Sequence, residues 1–453
     1  MKHWNNHRVI MLCLVGVLVI SINPLGASAA EFFVATTGNN SNSGTIGSPF
    51  LTLERAASVM ASGDTMSIRA GTYQRTAVIL SVPSGGGSWA TATTIKAYNG
   101  EKVIITPQNP VANGTDVIDT PARLSWVIFD GLILDGRGRE KGMGGKMGFR
   151  FGELSHHVRI INTEMRYTRS MVILTTSATD NEFINLNLHH GNHNLPPDDP
   201  HFKYSTYGIY MSSGNNLMIG CQIHHNRGYG IHNYSAHDYK PNFNTYIGNR
   251  VYANESSGII VSQSTGVKLI NNLVYGNGTG ASSGYTGENR YGIHIDLSVT
   301  NVTLLNNTTY GNAKGELMLG PTSSNVTAMN NIFAGTSSDY AIKIHEGNKG
   351  LVITNNLIYH TNPNLQVRNL GSALVSNNML GQNDIFVDEK NSDFHLQPGS
   401  PARGQGVVLK EVKYDFDNNP RGVPFDIGAY AFGSSSLPTV SERPASPKNV
   451  QIF

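Results

Sequence analysis

The chain has 453 residues, a formal net charge of +2 and only 14% charged residues, with 49 glycines. That length allows two or three average domains or one long solenoid, which grows by adding coils. The near-neutral balance gives no basic footprint for nucleic acid, and the composition suits a turn-rich β protein rather than a disordered chain.

Residues 1–30 read as a secretory signal peptide. Lys2 and Arg8 form the positive start, Val9 to Ile22 the apolar run, and Ala27-Ser28-Ala29-Ala30 the small-residue cleavage site. The run is short for a membrane span, so no span is expected after its removal. Cys13 lies inside it and lacks the small residue before it that a lipoprotein site needs. The exported chain would keep one cysteine, Cys221, with no internal partner. That points to a bacterial protein held by its ladder rather than by crosslinks, with Cys221 a buried structural thiol on a repeat strand.

Thr52 to Ala61 predicts a short helix with Leu53, Ala56, Ala57 and Met60 on one face and Gly63 beyond its end. Such a helix is placed to cover the open end of a solenoid, where an uncovered edge invites strand addition. Residues 75–150 hold further strands, such as Thr93 to Ala97 and Trp126 to Asp130, and read as early coils. Gly136 to Gly148, with Arg137, Arg139, Lys141 and Lys146, reads as a charged surface loop.

From Asn162 onward one pattern recurs: an apolar residue, one or two asparagines, another apolar residue. It stands as Ile270-Asn271-Asn272-Leu273, Met329-Asn330-Asn331-Ile332 and Ser376-Asn377-Asn378-Met379, with Gly220 and Gly248 filling the same place in weaker copies. Anchors at 162, 185, 220, 248, 271, 306, 330, 355 and 377 are separated by 23, 35, 28, 23, 35, 24, 25 and 22 residues. A recurring unit of this size means a solenoid, and the longer intervals are the same unit with an insertion. A second strand recurs as Tyr207-Gly208-Ile209-Tyr210-Met211, Tyr229-Gly230-Ile231-His232-Asn233 and Tyr291-Gly292-Ile293-His294-Ile295. Its period of two marks a strand with one buried face. Coils of short strands stacked about 4.8 Å apart make an all-β, right-handed, single-stranded parallel β-helix. The anchors fit turns that asparagine tolerates, and stacked copies can hydrogen-bond along the axis. The sequons at Asn301 and Asn325 fall out of this pattern and read as structural. The expected layout is signal peptide 1–30, β-helix 31–432 (cap region 31–73, clearest coils 148–380) and a Ser/Pro-rich tail 433–453.

The stretch from Phe33 to Tyr73, with Thr37-Gly38-Asn39-Asn40-Ser41-Asn42-Ser43-Gly44-Thr45, Ser48-Pro49-Phe50 and Arg69-Ala70-Gly71-Thr72-Tyr73, resembles the opening of secreted bacterial parallel β-helix proteins of the pectate-lyase-like superfamily. The coils from 148 to 380 look like that group's repeats, and Phe394 to Ala402 with Asp426-Ile427-Gly428-Ala429-Tyr430 is similar to its ending. The resemblance implies fold and export. It leaves activity open among lyase, hydrolase, epimerase and no reaction. The Asp cluster that binds calcium in pectate lyases has no counterpart at the matching strand, where His232 and Asn233 stand, and Asp199-Pro200-His201 echoes an epimerase motif outside its usual place.

Three insertions, His189 to Thr206, Ser235 to Asn244 and Gly278 to Arg290, are expected after the anchor strand and before the next Tyr-Gly-Ile strand, hence on one face. In that strand one outward column reads Arg150, Ile173, Tyr210, His232, Ile260, His294, Met318, Lys343; the next holds Tyr234, Ser262, Asp296 and His345. Such a trough suits a linear polysaccharide. The chemistry considered first is β-elimination or epimerisation at a uronate. A cation neutralises the carboxylate, a base takes the adjacent proton, and a tyrosine protonates the leaving oxygen. The candidate catalytic residues are His232, Tyr210, Tyr234, His294 and Asp296; Lys203, Arg227, Lys240 and Lys343 are candidate substrate cations. Asp198, Asp199 and His201 are candidate ligands for Ca²⁺ or another divalent metal. His189 and His224 read as surface fillers of a position that elsewhere holds Tyr252, Tyr275, Tyr310 and Tyr359. A glycoside hydrolase, with Asp198 or Asp199 paired to Asp296 or Glu288, and a non-catalytic glycan-binding rod remain open alternatives.

Overall fold

The computed structural model describes residues 29–75, 79–107, 116–136, 147–174, 177–191, 206–235, 242–280, 289–381 and 384–433. Among them, parallel sheets of thirteen, twelve and ten strands take their strands in chain order. One coil shows the unit: Tyr229–Tyr234 joins the ten-stranded sheet, Thr245–Ile247 the thirteen-stranded and Arg250–Tyr252 the twelve-stranded. Alternate residues point inward in strands such as Thr93–Ala97, His156–Ile161 and Glu182–Ile184. Ile209, Ile231, Ile259, Ile293, Leu317 and Ile342 stack as one buried row of a core that runs the length of the rod. Each such side chain contributes about 1.5–3 kcal/mol by leaving water.

The expected helix is shorter than its periodicity, Leu53–Ala57, with Thr52 capping it by accepting from the Arg55 N–H at 3.2 Å. Ser58 ends it by donating to the Arg55 carbonyl, and the Asp64 carboxylate takes the Ala61 N–H at 2.7 Å, drawing the chain off the helical path. Leu53, Ala56 and Ala57 are buried as expected, at the N-terminal end of the rod.

The paired asparagines divide two tasks. The first of each pair sits in left-handed backbone: φ is 53° at Asn271, 51° at Asn306, 57° at Asn330, and 63° and 60° where Gly220 and Gly248 replace it. The second is buried and forms a continuous ladder. Asn249, Asn272, Asn307, Asn331 and Asn356 each pass a side-chain hydrogen bond to the next coil at 2.9–3.0 Å, and the ladder ends on Asn378. Cys221 occupies this column one coil earlier, where burial pushes its thiol up to about 12, in keeping with a structural role. Two further ladders were not foreseen. One runs Asn226, Asn254, Asn277, Asn312 and ends on the buried carboxyl of Glu316, which accepts from both the main-chain and side-chain N–H groups of Asn312. The other runs Asn181, Asn216, Asn244.

One expectation fails. The 235–244 insertion does not follow an anchor strand. It lies between Tyr229–Tyr234 and Thr245–Ile247, at the passage from the ten-stranded to the thirteen-stranded sheet. Interval length alone could not tell which of a coil's corners was enlarged. The other two insertions precede strands of the ten-stranded sheet, so connections enlarge at both its long sides. Residues 384–433 fold back over the outer face of the twelve-stranded sheet. Phe386, Phe394 and Leu396 pack on Ile332 and Leu357. Asn306, Asn330 and Asn271 bond this segment through the Asp426 and Val407 carbonyls and the Arg421 guanidinium.

Candidate functional site

The predicted column exists as a single ladder. Arg150 pairs with Ile173, then Tyr210, His232, Ile260, His294, Met318 and Lys343 in unbroken register. Tyr234, Ser262 and Asp296 form the adjacent column. The residues just before the first column, Ile231, Ile259 and Ile293, and those between the two columns, Val261 and Ile295, belong to the core, so both columns face outward.

His232 stands inside a ring of tyrosines. Its ring centre lies 5.1 Å from Tyr207, 5.2 Å from Tyr210, 5.2 Å from Tyr229 and 5.3 Å from Tyr234, the last nearly parallel. Tyr207 and Tyr229 were missed because strict alternation gives them the inward parity of Ile209 and Ile231. The signal was the glycine after each. A Cβ at Gly230 would meet Val251 Cγ1 at 2.5 Å, so the glycine takes the crowded place and its tyrosine contacts the outward imidazole instead. Burial, and to a lesser degree the charge of His294, lower His232 to about 3, so it is neutral at working pH. Burial and the neighbouring Tyr234 push Tyr210 up to about 12, which keeps its phenol protonated.

A model describing a right-handed β-helix region matches residues 151–289 and 208–380, together just over half of the chain. The chain belongs to the right-handed β-helix family. Pectate lyase PEL9 of Emericella nidulans is 33% identical over 96 residues, 21% of this chain and 21% of that protein, so the match spans about a fifth of the curated relative's length. Among solved structures, pectate lyase Pel9A is similar over 90% of this chain and 98% of its own, with TM-score 0.58 and 15% identity. A rhamnogalacturonan lyase is similar over 90% and 97%, with TM-score 0.53 and 16% identity. At those identities the likeness is one of fold.

Two coils beyond His232 in this β-helix, His294 is 1% exposed and its Nε2 lies 3.4 Å from Asp296 Oδ2. Among the described residues, neither imidazole nitrogen meets full hydrogen-bond geometry with a neighbour. Burial works to raise the Asp296 carboxyl, but the contact with His294 outweighs it and holds the group below its ordinary value. Gly320 makes room for that carboxylate, since a Cβ there would lie 2.1 Å from Asp296 Oδ1.

The cations fare differently from expectation. Lys343 is on the ladder but only 9% exposed, and its Nζ is 3.0 Å from Asp339 Oδ2, so its charge is already matched. Arg227 sits at the entry to Tyr229–Tyr234, with Nε 3.8 Å from Glu255 Oε1. Arg150 heads the ladder with a half-exposed side chain 3.7 Å from Asp116. Asp198, Asp199, His201, Lys203, Lys240 and Glu288 lie outside the described residues. Among the described residues no cluster of three or more His, Cys, Asp or Glu is placed to hold a metal ion, and no helix is long and apolar enough to cross a membrane.

His189 and His224 take the repeat position expected of them, on the twelve-stranded sheet. Their rings stack at 5.0 Å, and the stack continues through Tyr252 at 4.7 Å to Tyr275 at 5.1 Å. Burial, then the neighbouring imidazoles, lower His224 to about 3, as befits a packed ring.

Proposed function

We propose that this is an exported protein that grips an acidic polysaccharide along the outer face of the ten-stranded sheet and acts on it by removing the proton beside a uronate carboxylate. The observation that carries the reading is the unbroken outward ladder from Arg150 through Tyr210 and His232 to His294, with Tyr234 and Asp296 beside it. A ladder one strand spacing per coil repeats on the length scale of a linear sugar chain. Export is supported by the signal-like pattern of residues 1–30.

The geometry redistributes the roles. A general base works best with a pKa near the operating pH, and a value of about 3 makes His232 a poor acceptor. His232 serves better as a neutral contact within its aromatic ring. His294, oriented by Asp296, is the better base, and substrate must move aside the groups that cover it. Tyr210, held protonated, suits the donor to the leaving oxygen. Arg150 and Arg227 are the described cations beside the groove.

A non-catalytic grip is favoured by two particular observations, the burial of His294 and the tyrosine platform around His232, since sugar rings bind aromatic faces as readily without turnover. The deciding experiment incubates the protein with pectate, alginate and glycosaminoglycans and follows the ultraviolet absorbance of unsaturated product. His294→Ala and Asp296→Ala should cut turnover by roughly 10²–10⁴ while binding persists. Binding without product on every uronate, with no epimerisation, leaves only the grip; absence of both removes the groove reading altogether.

A further inference from the structure

A second built surface lies at the corner where the chain passes from the ten-stranded to the thirteen-stranded sheet. Each coil places one residue there in left-handed backbone. Successive coils fill the position with Trp126, His157, Asp180 and Asn215, at φ of 56, 52, 58 and 58°. Further along the axis it holds Phe243 at φ 36° and then Gly266, Asn301 and Asn325, the last three being residues that adopt this conformation readily. A tryptophan there is a genuine outlier, and such outliers concentrate where a side chain has a task.

The task suggested by the surroundings is binding. Trp126 and His157 stack at 4.1 Å and 24°, and Trp89 from the preceding loop meets Trp126 edge-on at 5.1 Å. Arg159 lies 4.0 Å over the Trp89 ring while pairing with Glu182 at 2.6 Å, which fixes the indole and neutralises that carboxylate. Together with Asp180 and Asn215 these rings line a cleft of about 310 Å³, within the range of small-ligand sites. Aromatic walls with amide and carboxylate acceptors at the mouth match the C–H faces and hydroxyl rim of a sugar ring. The Asp180 carboxylate disfavours an acidic one by like-charge repulsion.

We propose that the cleft lined by Trp89, Trp126, His157, Asp180 and Asn215 is a binding site for neutral glycan, separate from the groove on the ten-stranded sheet. It does not depend on any reaction in that groove. It would let the rod hold an uncharged stretch or branch of a mixed polysaccharide while the other face engages uronates.

The chain has three tryptophans, Trp4, Trp89 and Trp126, so the full chain carrying Trp4→Phe has indole fluorescence only in the cleft. Titration with neutral gluco-, xylo-, manno- and galacto-oligosaccharides should give a saturable change with at least one of them, and uronate oligosaccharides of equal length should bind this site at least tenfold more weakly. Trp89→Ala should weaken the neutral ligand at least tenfold, read by calorimetry. Asp180→Asn, compatible with the same backbone, should keep the neutral ligand and narrow the discrimination against uronates. His232→Ala, in the groove, should leave the titration unchanged. No saturable change with any neutral glycan, undiminished binding by Trp89→Ala, or equal affinity for uronates in the unaltered site would overturn the proposal.

Discussion

Replacing Asn307 by alanine removes one rung from the buried ladder, and the structure allows its cost to be worked out. The Asn307 side chain donates to the Leu269 carbonyl at 2.8 Å and to Asn331 Oδ1 at 2.9 Å, and accepts from both the main-chain and side-chain N–H groups of Asn272 at 2.9 Å. Four hydrogen bonds at a net value near 1 kcal/mol each give about 4 kcal/mol. A separate route agrees. The Asn272 main-chain N–H and the Leu269 side-chain-facing carbonyl lose these partners in a buried site, and each orphaned group costs about 1–3 kcal/mol. Asn355→Gly is the matched control. Asn355 is in the outer column at φ 53°, a conformation glycine adopts without strain, and the change should cost no more than about 1 kcal/mol. Urea unfolding followed by far-ultraviolet circular dichroism, with hydrogen exchange of the flanking coils, measures both. A loss below about 1 kcal/mol for Asn307→Ala, or equal losses for the two variants, would refute the assignment of the second asparagine as the structural one.

Gly320→Ala should push the Asp296 carboxylate away from His294, because the new methyl would sit 2.1 Å from Oδ1 and the carboxylate is the movable partner. If the proposed uronate chemistry holds, turnover should fall at least tenfold with the melting temperature nearly unchanged. His395 ties the C-terminal segment together, with Nδ1 2.6 Å from Asp393 and Nε2 2.8 Å from Asp417. Burial acts to lower its pKa, but the two aspartates outweigh it and hold it above the ordinary value. Its protonated form is therefore favoured by folding, and the contribution is complete below about pH 6.5 and lost as pH rises through the folded-state pKa. His395→Gln should cost about 2 kcal/mol near pH 5 and clearly less near pH 9, read from unfolding curves at each pH. A pH-independent loss would exclude the ion pairs as the cause.

The coil register was legible because two signals repeat in phase: the doubled asparagine at one corner and the Tyr-Gly-Ile strand. Aligning them placed His232, His294 and Lys343 on one ladder, which the strand pairing bears out. The second asparagine ladder was present in the same spacing, since Asn226, Asn254, Asn277 and Asn312 are 28, 23 and 35 residues apart, like the anchors beside them. Each stands alone among dissimilar neighbours, so the eye finds no motif. What no alignment of coils supplies is depth. Whether an outward residue is open or covered depends on neighbours from other parts of the chain. Hence Lys343 and His294, both correctly placed on the ladder, proved far less accessible than an outward position suggests. The corner cleft was hidden for another reason: Trp126 reads as the start of a strand, and only its backbone angle shows that it projects.

A plain solenoid is held only coil to coil, so thermal opening can peel it from an end, one layer at a time. The returning segment at 384–433 changes that for this rod. Its Arg421 guanidinium and its Asp426 and Val407 carbonyls bridge from Asn271 through Asn306 to Asn330, and its apolar residues reach Leu357. Layers more than eighty residues apart in sequence are thereby strapped into one cooperative block, and loosening any of them first requires the strap to detach.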